Sequence, residues 1–301
     1  MCNSLSPAAY RDSGTDGAAG TGRSGRQGFP PAPEPLPAPV MDNHTHLDFP
    51  NGDAPVGIAA ALDAAEAVGV QGAVQVGCDL ASSRFTVEAV ELDSRLLGAV
   101  ALHPNDAPEY ALRGELEDAL AEIERLASHP RIRAIGETGL DFFRTEGEGL
   151  VAQRYSFRRH IDIAKRLGLT LQIHDRDAHS DVVQVLREEG APERVVFHCF
   201  SGDEGLARIC NEAGWNMSFA GTVTFRNSAD LRAALAVADP DLVLVETDAP
   251  FLTPHPHRGR PNASYMVPYT VRAMAELTGT DLAELCGRLS ANTLRAYGEW
   301  A

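Results

Sequence analysis

The segment LTLQIHDRDAHSDVVQVLREEGAPERVVFHC, residues 169–199, decides the fold. It opens on a short apolar run, Leu169–His174, and closes on another, Val195–Cys199. Between them, in Asp181–Glu189, apolar residues return every three or four positions. Short apolar runs read as buried strands, and the longer period reads as a helix with one buried face. Strands joined by a helical crossover lie parallel in one sheet. Each run also carries a histidine at its end, His174 and His198.

The same unit recurs on both sides. Further apolar runs are Pro39–His46, Gln71–Cys78, Leu97–His103, Ile132–Glu137, Trp215–Ala220 and Leu242–Asp248, which brings the total to eight. Helical periodicity occupies Ala59–Val68, Glu115–Leu126, Ala152–Leu167, Gly205–Ala213, Ala229–Ala238 and a last pair after Tyr265. Eight such units in about 250 residues predict an α/β protein, a single-domain (β/α)8 TIM barrel. No G-x-G-x-x-G turn follows the first strand, which argues against a dinucleotide-binding sheet. Residues 1–39 are dominated by Gly, Ser, Thr, Ala and Pro and end in PPAPEPLPAP. That composition predicts a disordered extension, with the barrel spanning 40–301.

Composition narrows the function. With 301 residues, 44% hydrophobic and 23% charged, the chain can build a large core, which excludes a wholly disordered or disulfide-stapled protein. No apolar run is long enough to cross a bilayer, and MCNSLSPAAYRDSG lacks the apolar centre of a signal peptide. Five scattered cysteines without a C-x-x-C pair suit reduced thiols. These features predict a cytoplasmic protein with no membrane partner and no obligate protein partner. The net charge is −16, and Lys165 is the only lysine among 26 basic residues. Such a chain does not coat DNA, because phosphates reward dense Lys/Arg contacts. A metal enzyme acting on phosphodiesters remains open, since bound cations supply local positive charge.

The chemistry gathers at the strand ends: His44 and His46, His103, Glu137, His174, His198 and Asp248. A barrel places all carboxyl ends of its strands around one mouth. Side chains two apart on a strand share a face, so His44 and His46 can grip one ion. Imidazole and carboxylate donors suit Zn, Mn or Fe, and Mg where oxygen and water predominate. Singly, each residue has an ordinary structural role. Together, His44, His46, His174, His198, Glu137 and Asp248 are too many for one ion and fit two divalent metal ions, with Glu137 as the shared carboxylate.

The motifs His44-x-His46-Leu47-Asp48, Leu102-His103-Pro104, Gly136-Glu137-Thr138-Gly139-Leu140-Asp141-Phe142, Ile173-His174-x-Arg176-Asp177-Ala178, Phe197-His198-Cys199-Phe200-Ser201-Gly202 and Glu246-Thr247-Asp248-Ala249-Pro250-Phe251-Leu252 occur in that order. In this the chain closely resembles the TatD family of metal-dependent deoxyribonucleases, from about Val40 to Tyr297. The resemblance implies a (β/α)8 hydrolase that removes nucleotides from DNA, often 3′–5′ on single strands or 3′ ends, with Mg. It implies that His44, His46 and Asp248 hold one ion, His174 and His198 a second, and that Glu137 bridges them. It also implies that His103 faces substrate and that Asp248 orients or deprotonates the attacking water. Arg176, Arg258 and Arg260 are candidate phosphate contacts, and Phe142 and Phe143 candidate stacking partners for a base. In the loop Pro256–Asn262 the family's following Glu-Pro is replaced by Ala263-Ser264. An amidase, lactonase or aminoacyl-tRNA deacylase would use the same ions, and a metal-binding scaffold without turnover is a third reading. Lys165 lies on a helix short of the mouth, which leaves Glu137 rather than a modified lysine as the bridge.

Overall fold

The computed structural model describes residues 28–51 and 56–300. Eight parallel strands follow one another around the sheet in sequence order. They are β1 (Val40–Thr45), β2 (Val70–Gly77), β3 (Leu96–Val100), β4 (Ile132–Asp141), β5 (Thr170–Arg176), β6 (Val195–Phe197), β7 (Asn216–Phe219) and β8 (Val243–Val245). Between β8 and β1 a few bonds close the ring. Asn43 Nδ2 donates to Val245 O at 2.7 Å, Asp248 N to His44 O at 2.9 Å, and His46 N to Ala249 O at 2.8 Å. The fold is the expected (β/α)8 TIM barrel, with a strand at each of the eight apolar runs.

The helices are α1 (Ile58–Glu66), α2 (Leu80–Leu92), α3 (Ala107–Leu112), α4 (Leu116–Ala127), α5 (Glu148–Leu167), α6 (His179–Glu189), α7 (Glu204–Ala213), α8 (Ala229–Val237), α9 (Val267–Thr278) and α10 (Leu282–Tyr297). Two of them escape the apolar period. Helix α2 buries Ser82, Ser83 and Thr86 beside Ala89 and Val90, so its inner face is half hydroxyl. Those hydroxyls are all satisfied: Ser82 Oγ accepts from Cys78 N at 2.7 Å, Thr86 Oγ1 donates to Ser82 O at 2.9 Å, and Ser83 Oγ donates to Ala101 O at 3.3 Å. Helix α3 is too short to show a period.

Alternation along the strands produces two cores. One set of residues packs against the helices. The other, Val74, Val76, Leu97, Ala99, Ala134, Val196 and Leu244, forms a separate cluster closed by Ala296 and Tyr297 from the end of α10. Gln172 Nε2 donates to Tyr297 Oη at 2.8 Å and to Asn43 O at 2.9 Å. Trp300 Nε1 donates to Arg95 O at 2.8 Å, just before β3. The C-terminus therefore seals the amino ends of the strands. At the other end, Gly139 has φ +143, and a Cβ there would lie 2.0 Å from His174 O. Only glycine allows β4 to lie against β5 at the level of His174.

The N-terminal boundary differs from expectation. Residues 28–39 are laid against the barrel, and the expected extension gives way to ordered contacts at residue 28. Leu36 is buried, and its N–H donates to Val68 O at 3.0 Å. Tyr265 Oη donates to Pro30 O at 2.6 Å, Arg272 Nη2 to Pro35 O at 3.1 Å, and Ser290 Oγ to Pro39 O. The physical reason is one of acceptors. Prolines bring no N–H, but their carbonyls still accept bonds from side chains on the barrel. The rest of the expected extension, residues 1–27, lies outside the described residues. Among the described residues no helix is long and apolar enough to cross a membrane.

Candidate metal centre

His44 and His46 stand two apart at the end of β1, and their Nε2 atoms approach to 3.1 Å. Asp248 comes from just beyond β8. Its backbone is left-handed, φ 53, a conformation that Asp tolerates better than most residues. Its N–H is tied to His44 O, while Asp42 accepts from Thr247 N at 2.8 Å and from Thr247 Oγ1 at 2.6 Å. This lock turns Asp248 Oδ1 to 3.5 Å from His46 Nε2 and 3.7 Å from His44 Nε2.

Glu137, from β4, is the second focus. Its Oε2 lies 2.5 Å from His198 Nε2 and 3.3 Å from His174 Nδ1, and its Oε1 lies 3.6 Å from His103 Nε2. The His44 and His198 rings stack with centroids 3.9 Å apart, which joins the two foci into one site. His44, His46, Glu137, His174, His198 and Asp248 are all buried. Candidate metal groups include His44–His46–Asp248, His44–Glu137–His198 and His103–Glu137–His174.

Outer partners decide which nitrogen each imidazole turns inward. His46 Nδ1 lies 3.0 Å from Val76 O, a carbonyl that only accepts, so Nδ1 carries a proton and Nε2 is the nitrogen that offers a lone pair once the ring gives up its second proton. His198 Nδ1 faces Glu246 Oε1 at 3.3 Å, and His174 Nε2 faces Asp141 Oδ2 at 3.3 Å. Three histidines thus each spend one N–H on a carbonyl or carboxylate, the arrangement that orients metal-bound imidazole. His103 differs. Its Nδ1 accepts from Asn105 N at 3.0 Å, so its neutral ring carries the proton on Nε2. That makes His103 a donor at the mouth.

Electrostatics point the same way. Burial disfavours a charge on His46, but the Asp248 and Glu137 carboxylates outweigh it and raise its pKa to about 9. His198 is likewise raised well above its usual value, with Glu137 overcoming burial. Burial lowers His103 to about 3. Glu137 is held well below the usual carboxylate range, because His198 and His103 outweigh its burial. Buried positive charge on His46 and His198 does what cations would do among these carboxylates. Meanwhile Asp248 Oδ2 and His44 Nδ1 are buried without a hydrogen-bond partner. Nitrogen and carboxylate donors converging in this way fit divalent metal ions.

The candidate substrate residues fare differently from one another. Arg176 ends β5 with its guanidinium 4.0 Å from the centroid of the Phe143 ring, and Phe143 is exposed. Arg258 lies 4.5 Å over Phe225. Arg260 is engaged within the protein. Its guanidinium donates to Gly28 O at 2.7 Å and to Phe29 O, so it anchors the N-terminal segment. Phe142 packs against the core beneath Arg154, which leaves Phe143 as the stacking candidate. Sequence reasoning passed over Asp141, Glu246, Asp42 and Cys78. Two of these sit inside the quoted motifs, and Cys78 ends the second apolar run. The missing signal was the convention that a strand-end ligand has a hydrogen-bonding carboxylate nearby.

Comparison with known proteins agrees with this geometry. Residues 41–298 match the family model described as TatD related DNase. The metal-dependent hydrolase TatD of Mycobacterium tuberculosis is 47% identical over 264 residues, covering 86% of this chain and 98% of that protein. The metal-dependent hydrolase YabD of Bacillus subtilis is 35% identical over 260 residues, again 86% of this chain and 98% of the other. Among solved structures, the TatD homologue YjjV of Escherichia coli superimposes with a TM-score of 0.79 at 24% identity, covering 86% and 98% of the two chains. With a matching barrel, a buried set of metal-type donors at its mouth and relatives of this closeness, the chain belongs to the TatD family of metal-dependent hydrolases.

Proposed function

We propose that the chain is a deoxyribonuclease that hydrolyses phosphodiesters from the 3′ ends of single-stranded DNA. In this reading His44, His46 and Asp248 hold one divalent ion and His174 and His198 a second, with Glu137 shared. The ions are Mg, Mn or Zn. The observation that carries it is Glu137, a carboxylate facing imidazoles from three other strands, beside the His44–His46–Asp248 cluster.

Divalent ions, when bound, neutralise the scissile phosphate and lower the pKa of the attacking water. The chain's own residues do the rest. Asp248 aims one oxygen at the β1 histidines and keeps Oδ2 without a hydrogen bond, an acceptor for the proton of the water. His103 presents Nε2–H, a donor for a phosphate oxygen, and burial keeps that ring neutral. Arg176 offers a guanidinium for a flanking phosphate, and the exposed Phe143 offers a face for a base. The net charge of −16 favours a short footprint, since an extended track of phosphates rewards dense basic contacts.

The test is release of mononucleotides from end-labelled single-stranded DNA, abolished by EDTA and restored by Mg or Mn. A panel of amides, lactones and aminoacyl esters runs beside it. Turnover on that panel with none on DNA would overturn the nuclease reading and favour carbonyl chemistry at the same centre.

A further inference from the structure

We propose that Cys78 is a thiol ligand of this metal centre and biases it toward zinc-class ions over magnesium. The inference rests on the metal-centre reading above but not on the identity of the substrate. Cys78 follows β2, half-buried at the mouth, with its thiol donating to Glu137 Oε1 at 3.4 Å. His46, Cys78 and Glu137 offer donor atoms that all lie within 4.8 Å of one another.

The sulfur is held in that place. Cys78 N donates to Ser82 Oγ at 2.7 Å, and Gly77 packs so tightly on Ser83 that a Cβ would lie 2.6 Å from its Cα. The backbone at the end of β2 therefore has little freedom to shift, and the thiol's bond to Glu137 Oε1 fixes where Sγ points.

A second observation, independent of the thiol, points to a cation at the same carboxylate. Glu137 Oε2 is buried with imidazole nitrogens at 2.5 and 3.3 Å, yet it makes no hydrogen bond of acceptable geometry. Its other oxygen is the one that Cys78 faces. A carboxylate oriented in this way, with sulfur on one oxygen and imidazole on the other, forms a mixed N/O/S donor set. Thiolate is a soft ligand that favours zinc-class ions, whereas magnesium demands hard oxygen donors. On binding, the S–H bond breaks, a metal–sulfur bond forms and the proton leaves to solvent.

The experiment loads the full chain with Co2+ and records its electronic spectrum. The expected result is a sulfur-to-cobalt charge-transfer band in the near ultraviolet for the native protein and for Cys199→Ser. Cys78→Ser and Cys78→Ala should lack that band yet keep the weaker visible bands of cobalt bound by imidazole and carboxylate. Chelator competition adds a second readout: Cys78→Ala should weaken zinc retention about tenfold or more while changing magnesium affinity far less. Cobalt bound without the ultraviolet band, or a band that survives Cys78→Ala, overturns the proposal. Absence of any visible cobalt band would instead bring down the metal-centre reading, and this proposal with it. Melting curves in chelator confirm that each variant folds.

Discussion

At the amino end of the barrel, Tyr297, Trp300 and Arg131 close the strands with bonds to Gln172, Arg95 O and Leu96 O. At the carboxyl end, four histidines and two carboxylates crowd together, three of their polar atoms buried without hydrogen-bond partners and one backbone left-handed at Asp248. The same eight strands carry both ends. One end spends its residues on apolar contact and neutral or cation-to-carbonyl bonds, and the other concentrates charge that only protons or cations can balance. Stability and chemistry are thus separated along the barrel axis, and substitutions at either end can test whether that separation is real.

The largest expected effect is at the mouth. Glu137→Gln replaces the carboxylate proposed to be shared between the ions with a neutral amide, so bound metal should fall and turnover drop roughly a thousandfold, the several kcal/mol that a metal ion supplies. Elemental analysis per chain and initial rates check this. Full metal content with near-native turnover would remove Glu137 from the centre.

Tyr297→Ala should do the converse. Truncating a buried aromatic costs about 3–5 kcal/mol, seen as a lowered melting temperature. The fraction that stays folded should hold metal and turn over as before. Loss of metal affinity in that fraction would show that the two ends are coupled.

Glu246→Gln comes next, through His198. Its carboxylate accepts from Cys199 N at 2.7 Å and faces His198 Nδ1 at 3.3 Å. Loss of such an orienting group typically costs 10–100-fold in metal affinity or activity, about what titration of the variant with Mn should read. Unchanged affinity would mean that His198 is oriented by packing alone.

How legible these features were depends on what each residue does. The strands were plain because eight apolar runs each end in turn or polar residues, and β4 gave away its role through Glu137 inside a Gly-flanked motif. The metal-type donors were plain for the same reason: a barrel brings strand ends together whatever their separation in sequence. Helix α2 was hidden because Ser82 and Thr86 satisfy their hydroxyls within the turn and Ser83 donates to Ala101 O, so burial left no apolar trace. Glu246 and Asp141 were hidden because a residue that acts by hydrogen-bonding a ligand has no spacing rule. The docking of residues 28–39 was hidden because it depends on carbonyl oxygens, which composition does not distinguish.

A pH dependence sharpens the contrast within the mouth. In metal-free protein His46 keeps its proton up to about 9, and His198 and His174 are raised as well. Groups raised in the folded state contribute stability below about pH 6.5, the unfolded value, and lose it as pH rises through the folded one. His103, lowered to about 3, His160, lowered to about 4, and His44, which burial lowers well below its usual value, are buried neutral. Below about pH 6.5 the unfolded chain binds protons that these three cannot, so stability falls there too. Melting temperature in EDTA should therefore peak near pH 6.5, and added Mn should abolish the decline on the alkaline side. A flat alkaline limb in EDTA would show that the mouth histidines are not charged in the metal-free protein.

The smallest effects separate two neighbouring arginines. Arg258 lies over Phe225, whereas Arg260 donates to the carbonyls of Gly28 and Phe29. Arg260→Ala frees the N-terminal segment and should cost about 1–2 kcal/mol, since a charged donor leaves carbonyls that water can only partly satisfy. It should not change how binding of single-stranded DNA depends on salt. Arg258→Ala should leave the melting temperature within about 0.5 kcal/mol of native, as an exposed substitution does. If Arg258 contacts one phosphate, its loss reduces the slope of log affinity against log salt by roughly 0.7, the single-strand value per neutralised phosphate. Thermal melts and fluorescence-anisotropy titrations at several salt concentrations, run on both variants with a catalytically silent Asp248→Asn background, read both quantities. Equal salt slopes for the two variants would place both arginines outside the substrate path. A lowered slope for Arg260→Ala alone would mean that the N-terminal segment yields its anchor to DNA on binding.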